Sequence, residues 1–272
     1  MGCGSSASAS EPGSGASGRT VSGGAQKGKN LIPGKVEFHY FGLNGRADPL
    51  RMMFEYHGQP YEKISETPEG WEATKAAGGG GEFGGGLPYA EFTHQGKKER
   101  IAQFGAIIRF FCIRYGYYNT KDDKCARYTD PIIDTWADAL GLSSAILFGG
   151  EEKKQENTEK FVAFAKKYNK LVEANLRHHN GKYVGGNSIG AGDFVMAAWL
   201  GNFFFNTANP LAPMMKATLD ETPKLKQYAE NVIMKEFTYL KTRGEQPPFW
   251  SHLFEAFSEK IDQYTNQCRV LS

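Results

Sequence analysis

The stretch HYFGLNGRAD, residues 39 to 48, sets Tyr40 and Phe41 at the end of an alternating run, directly before a glycine turn and Arg46. Three kinds of chemistry are open to it: a phosphate cradle, a helix cap, or a tyrosine hydroxyl presented beside a cation. The first is excluded, because the glycine spacing and the lysine that phosphate loops use are absent. Taken alone, Tyr40 also reads as a strand aromatic whose hydroxyl is satisfied by backbone, and Arg46 as half of a surface ion pair.

Other chemistries are excluded or confined to the chain ends. Cys3, Cys112, Cys125 and Cys268 show no CxxC or metal-ligand spacing, and His178 and His179 are adjacent rather than placed to share a helix face. Free thiols and no metal are expected. The run AAGGGGEFGGG, residues 76 to 86, has seven glycines but no lysine-serine ending, so it reads as a flexible loop. A net charge of +2 gives no electrostatic reason for a nucleic-acid partner. No stretch approaches the roughly 20 apolar residues of a membrane span, and the expected location is the cytoplasm. The opening MGCGSS fits myristoylation of Gly2, with Cys3 beside it open to palmitoylation. Two acyl chains would anchor the protein to the cytosolic face of a membrane.

The elements that must position Tyr40 follow from periodicity. Residues 1–34 are mainly Gly, Ser and Ala and are expected to form a disordered leader. KVEFHYF alternates as a strand, and PLRMMFEYHG places Leu50, Met53, Phe54 and His57 on one helix face before Gly58. A strand near Tyr61 to Ser65 completes a βαβ start. LPYAEF, a turn at His94 to Lys97, a strand from Glu99 to Ala102 and the helix GAIIRFFCIRYG form a ββα unit, with Pro88 at a strand start, open to a cis peptide. Helical periods follow from Thr129 to Phe148, Thr158 to Leu176, GAGDFVMAAWLGNFFF, Thr222 to Lys235 and Trp250 to Gln263. The fold class is therefore α/β plus all-α, with an α/β domain over 35–118, a helical domain over 119–249 and a helical extension over 250–272.

In this order, Tyr40-Phe41 with Gly45-Arg46-Ala47, Trp71 and Lys75, Leu87-Pro88, Gln103, the aspartates of TDPIIDTWAD and the GAGDF helix start resemble a cytosolic glutathione transferase. The sequence is most similar to the sigma class, which includes glutathione-dependent prostaglandin D synthases. The resemblance implies a thioredoxin-like N-terminal domain, a helical C-terminal domain and a homodimer. It makes glutathione a co-substrate, with no cofactor, and a small hydrophobic electrophile the second substrate. Tyr40 would donate a hydrogen bond to the thiolate and so favour the ionised form, and Arg46 would add positive potential. Trp71 and Lys75 would hold the glycine carboxylate, Leu87 before Pro88 the cysteinyl backbone, Gln103 the γ-glutamyl end, and Asp138 would reach its ammonium across the dimer. By family position Phe148 and Trp250 would line the electrophile pocket, with Phe254 and Phe257 also covering it, while that C-terminal stripe reads equally as ordinary amphipathic packing.

Phe104 stands where the family carries a Ser or Thr hydroxyl for the γ-glutamyl carboxylate, leaving only its backbone N–H for that contact. Phe83 in the glycine run would be a dimer-locking aromatic, and Gly190 replaces a hydroxyl cap of the GAGDF helix, where Asp193 still favours the helix start. These departures admit a second class of function, a binding or scaffold protein on the same fold. Glutathione-dependent isomerisation of a prostaglandin-type endoperoxide is a narrower enzymatic reading.

Overall fold

The computed structural model describes residues 27–77, 86–180 and 182–243. Val36, Phe38 and Tyr40 alternate inward along β1 (Val36–Phe41), the pattern of a strand with one face on a core. The chain then turns into α1 (Asp48–His57), which opens with Pro49 and closes on Gly58 at φ 80°, a left-handed cap that glycine adopts without a Cβ clash. It returns in β2 (Glu62–Glu66), paired parallel to β1. The strands β3 (Tyr89–His94) and β4 (Lys97–Ala102) form an antiparallel hairpin whose central residues, Gln95 and Gly96, both have positive φ. The sheet order is β2-β1-β3-β4, with β3 antiparallel to β1.

Two layers cover the sheet. On one face α1 and α3 (Phe104–Tyr115) pack through Phe38, Phe54 and Phe111, whose rings meet edge to face at 5.9 and 4.8 Å. On the other lies α2 (Pro68–Ala76), capped by Thr67 Oγ1 accepting from the Gly70 N–H at 3.0 Å. Its Trp71 is buried with Tyr89 and Ala102 against Phe41 and Leu87. The apolar pattern of this nine-residue helix is too weak to be found by periodicity, since Trp71 is its only buried residue.

The second half is helical. Its core is α6 (Ala191–Phe203), buried at every position, between α4 (Asp130–Phe148) and α5 (Lys154–His179). Trp136, Phe161, Trp199 and Phe203 interleave there, with Phe161–Phe203 centroids 5.1 Å apart. Helix α5 starts four residues before the apolar period does, on Lys154-Gln155-Glu156-Asn157, exposed or half-exposed residues that carry no periodic signal. A short α7 (Ala212–Ala217) escapes the sequence pattern. The helix expected over 222–235 starts at Pro223, runs as α8 (Pro223–Tyr228), and loosens into a π-helical turn over Ala229–Ile233.

One expectation needs correction. Residues 27–34, assigned to the leader, belong to the folded body: Ile32 is buried, its N–H donates to Gln59 Oε1 at 2.9 Å, and Arg114 donates to the Asn30 carbonyl at 2.7 Å. A lone isoleucine in a Gly/Ser-rich run carries no period, so only its tertiary partners reveal it. Among the described residues no helix is long and apolar enough to cross a membrane.

Candidate active site

Tyr40, one residue before the end of β1, is buried, 6% exposed. The next residues form a tight turn, Gly45–Ala47, and the Arg46 N–H donates to the Tyr40 hydroxyl oxygen at 3.1 Å. That bond occupies an acceptor site and leaves the hydroxyl proton to be donated elsewhere. Burial pushes the Tyr40 pKa up, against smaller opposing effects of the Arg46 N–H and the Arg46 and Arg51 charges, so the phenol is neutral at physiological pH. It is built as a hydrogen-bond donor rather than a base. Arg51, on the buried side of α1, donates to the carbonyls of Leu43 at 2.7 Å and Phe41 at 3.4 Å and braces the turn from below.

The same end of the sheet gathers the residues expected to hold a peptide. Phe41 follows Tyr40 and joins the cluster of Trp71, Leu87, Tyr89 and Ala102. Leu87-Pro88 is a cis peptide just before β3. Most of Trp71 is core packing, its ring 6.3 Å from that of Tyr89, while Lys75 Nζ lies 6.0 Å from the indole centroid. Lys75 pairs with Glu72 at 2.6 Å, one turn away on the exposed face. Such a surface pair contributes ~1 kcal/mol or less, so the ammonium is readily given up to a ligand carboxylate.

Gln103 is exposed, and its N–H donates to the Pro88 carbonyl at 3.2 Å. Its φ of 73° lies in the left-handed region, where a non-glycine residue costs about 1–3 kcal/mol. It immediately precedes α3, so the amides of Phe104 and Gly105 open a helix and have no intrahelical acceptors. The Phe104 side chain turns into the main core and is buried. At the start of α3 the Phe104 N–H has no intrahelical acceptor.

Asp130 and Asp134 are both taken by Arg109, at 2.9 and 2.8 Å, whereas Asp138 is exposed on α4. Phe148, assigned to an electrophile pocket, ends α4 with its ring 46% exposed. A groove of about 830 Å³ runs along α5 between Glu151, Val162 and Met214 and includes neither Phe148 nor Tyr40. Gly2, Cys3, Phe83, Trp250, Phe254 and Phe257 lie outside the described residues.

Sequence spacing missed two groupings. Glu37, His39 and Glu91 bring one ligand-type atom each within 4.8 Å of one another on the outer sheet face. Their carboxylates already meet Lys35 at 2.7 Å, Lys98 at 2.8 Å and Arg100, while His39 Nδ1 meets Glu66 at 2.9 Å. The set is an ion-paired patch that strand alternation and cross-strand register assemble. The second grouping joins Asn44 and Asp48 at the turn to Asn202 and Arg243 of the helical half. Its one sequence signal is a pair of charged residues, Asp48 and Arg51, inside a helix that otherwise buries apolar side chains.

Comparison with known proteins agrees with this geometry. Residues 138–236 match the family described as glutathione S-transferase, C-terminal domain. Probable glutathione S-transferase 6 of Caenorhabditis elegans is 32% identical over 156 residues, covering 55% of this chain and 71% of that protein. Glutathione S-transferase 2 of Manduca sexta is 29% identical over 218 residues, covering 75% and 99%. Among solved structures, the monomeric glutathione S-transferase Na-GST-3 of Necator americanus superposes with a TM-score of 0.63 at 24% identity, over 78% of this chain and 99% of that one. A thioredoxin-like sheet carrying a buried tyrosine, a helical second domain and these relatives together place the chain in the glutathione S-transferase family of enzymes.

Proposed function

We propose that this protein activates the thiol of glutathione through Tyr40 for attack on small hydrophobic electrophiles. The observation that carries the reading is the buried, neutral Tyr40 hydroxyl, held by the Arg46 N–H with its proton free to donate. A free thiol ionises near pH 8.5, so only a few per cent is thiolate at pH 7. A donor that binds thiolate and not thiol lowers that value, each unit corresponding to about 1.4 kcal/mol. Arg46 adds positive potential.

Around the thiol, Lys75 and the Trp71 indole hold the glycine carboxylate, and the Leu87 backbone receives the cysteinyl part as an added strand. Gln103 and the first amides of α3 bind the γ-glutamyl end, the amides standing in for the hydroxyl that Phe104 lacks. Asp138 completes that end from a second copy of the chain. Acylation at Gly2 and Cys3 tethers the enzyme where lipophilic substrates concentrate.

The test is conjugation of glutathione to a simple aryl halide by purified protein. The wild type should turn over, and Tyr40→Phe should lower kcat about 10- to 100-fold, the value of a hydrogen bond to a charged group. Unchanged turnover removes Tyr40 from the mechanism. Phe104 keeps the scaffold reading alive, and calorimetric titration decides it: no binding of glutathione at millimolar concentration would favour a scaffold.

A further inference from the structure

We propose that Asn202 and Arg243, both in the helical half, are positioning residues that set the acidity of the bound thiol by clamping the turn behind Tyr40. The inference rests on the reading of Tyr40 as the thiol-activating hydroxyl.

The turn Gly45–Ala47 lies between Asn44 and Asp48, and the Asp48 N–H closes it on the Asn44 carbonyl at 3.0 Å. One amide of α6 grips both ends. Asn202 Oδ1 accepts from Asn44 Nδ2 at 3.1 Å, and Asn202 Nδ2 donates to Asp48 Oδ2 at 2.7 Å. Arg243 locks this fork, pairing with Asp48 and donating to Asn202 Oδ1 at 3.1 Å. Asn209 Nδ2 donates to the Asn202 carbonyl at 3.1 Å and holds it from behind. The cluster is sealed, with the Asp48 and Arg243 side chains 0% and 7% exposed. The segment carrying Arg243 lies close on α6 at Gly201, where a Cβ would come within 2.4 Å of Leu240 Cδ2 and 3.3 Å of the Arg243 guanidinium and would displace those side chains.

The two halves also meet through apolar contacts outside this cluster. Tyr56 of α1 already packs on Phe194 at 5.7 Å and on Phe237 at 5.5 Å. A buried ion pair is weak evidence for stability, and its best-attested use is to fix register. Here the register fixed is that of Arg46, whose N–H reaches the Tyr40 oxygen. Hydrogen bonds weaken steeply with misalignment, so a turn that slides loses this bond before it loses the fold. The helical half thereby feeds into an active-site acidity that is otherwise set within the thioredoxin-like half.

The pH profile of kcat/KM for aryl-halide conjugation tests this, together with thermal melting, in Asn202→Ala, Asn44→Ala, Arg243→Met, Arg243→Lys and Tyr40→Phe. Asn202→Ala and Arg243→Met should move the acidic midpoint up by about 0.5 to 1 unit, three- to tenfold less thiolate at pH 7, with full activity recovered at alkaline pH and KM for glutathione within about twofold. Arg243→Lys should restore part of the shift. If Asn202→Ala does not fold, Asn44→Ala, which removes one bond on the turn side, carries the same expectation. Melting temperatures that fall while every midpoint stays at the wild-type value overturn the proposal and leave the cluster as interdomain packing. Should Tyr40→Phe move the midpoint and the clamp variants not, this inference alone fails; should Tyr40→Phe itself leave it unmoved, the assignment of Tyr40 fails with it.

Discussion

On the proposed glutathione reading, Lys75 and Gln103 carry separable signatures. Lys75 gives up only a surface pair to hold a carboxylate, so Lys75→Ala should raise KM for glutathione about five- to tenfold and leave kcat nearly unchanged, as expected for binding shared equally by ground and transition states. Gln103 sits at φ 73°, a conformation glycine adopts freely. Gln103→Gly should therefore melt no lower than wild type while its KM for glutathione rises at least about fivefold, a split that a residue retained for stability would not produce. Steady-state kinetics beside a melting curve read both. Tyr40, Arg46, Trp71, Lys75 and Gln103 are proposed from the sequence because they fall in ordered motifs. Asn44, Asp48, Asn202 and Arg243 are not, because the partners are about 40 to 200 residues apart and no period links them.

Helix α6 shows how an element is held when its usual cap is missing. Gly190 offers no side chain, and Asp193 takes over, its Oδ2 accepting from the Gly190 N–H at 2.8 Å and its Oδ1 from the Val184 N–H at 3.2 Å and the Tyr228 hydroxyl at 2.6 Å. Burial nevertheless dominates these three donors and raises the carboxyl from 3.8 to about 6. An acid with a raised folded pKa is protonated more readily when native, so its contribution to stability is greatest below the unfolded value near 3.8 and declines as pH rises toward about 6. Chemical denaturation of wild type and Asp193→Asn across pH 3.5 to 7 should show the difference between them falling over that window and flat above it. A flat difference throughout would mean that the carboxyl titrates alike in the folded and unfolded chain. The GAGDF pattern marked this helix start, but only the packing of Val184 and Tyr228 around it explains the titration.

At the scale of the whole molecule, two halves meet along α1 and α6, through Tyr56 against Phe194 and through the sealed Asp48–Arg243 cluster. Phe194→Ala should cost about 3–5 kcal/mol, measured by denaturant unfolding, because the void lies in the seam between them. The proposed second copy is testable by sedimentation velocity, with a mass near twice 30.1 kDa expected and a monomer contradicting the role of Asp138 across an interface. Acyl anchoring predicts that the full chain partitions to membranes in cells able to acylate it and that Gly2→Ala moves it to the soluble fraction.

The sequence by itself determined the order of the main elements, the strand that carries Tyr40, the apolar face of α1 and the buried α6. Those are local properties, carried by period, by turn residues and by spacing within tens of residues. Only the tertiary structure decided that Phe104 turns into the core, that residues 27–34 are part of the folded body, that Asp130 and Asp134 are spent on Arg109, and that Asn202 and Arg243 reach the turn behind Tyr40. Each of those depends on which surface, distant along the chain, a side chain finds once the chain folds, and no pattern along the chain encodes that meeting.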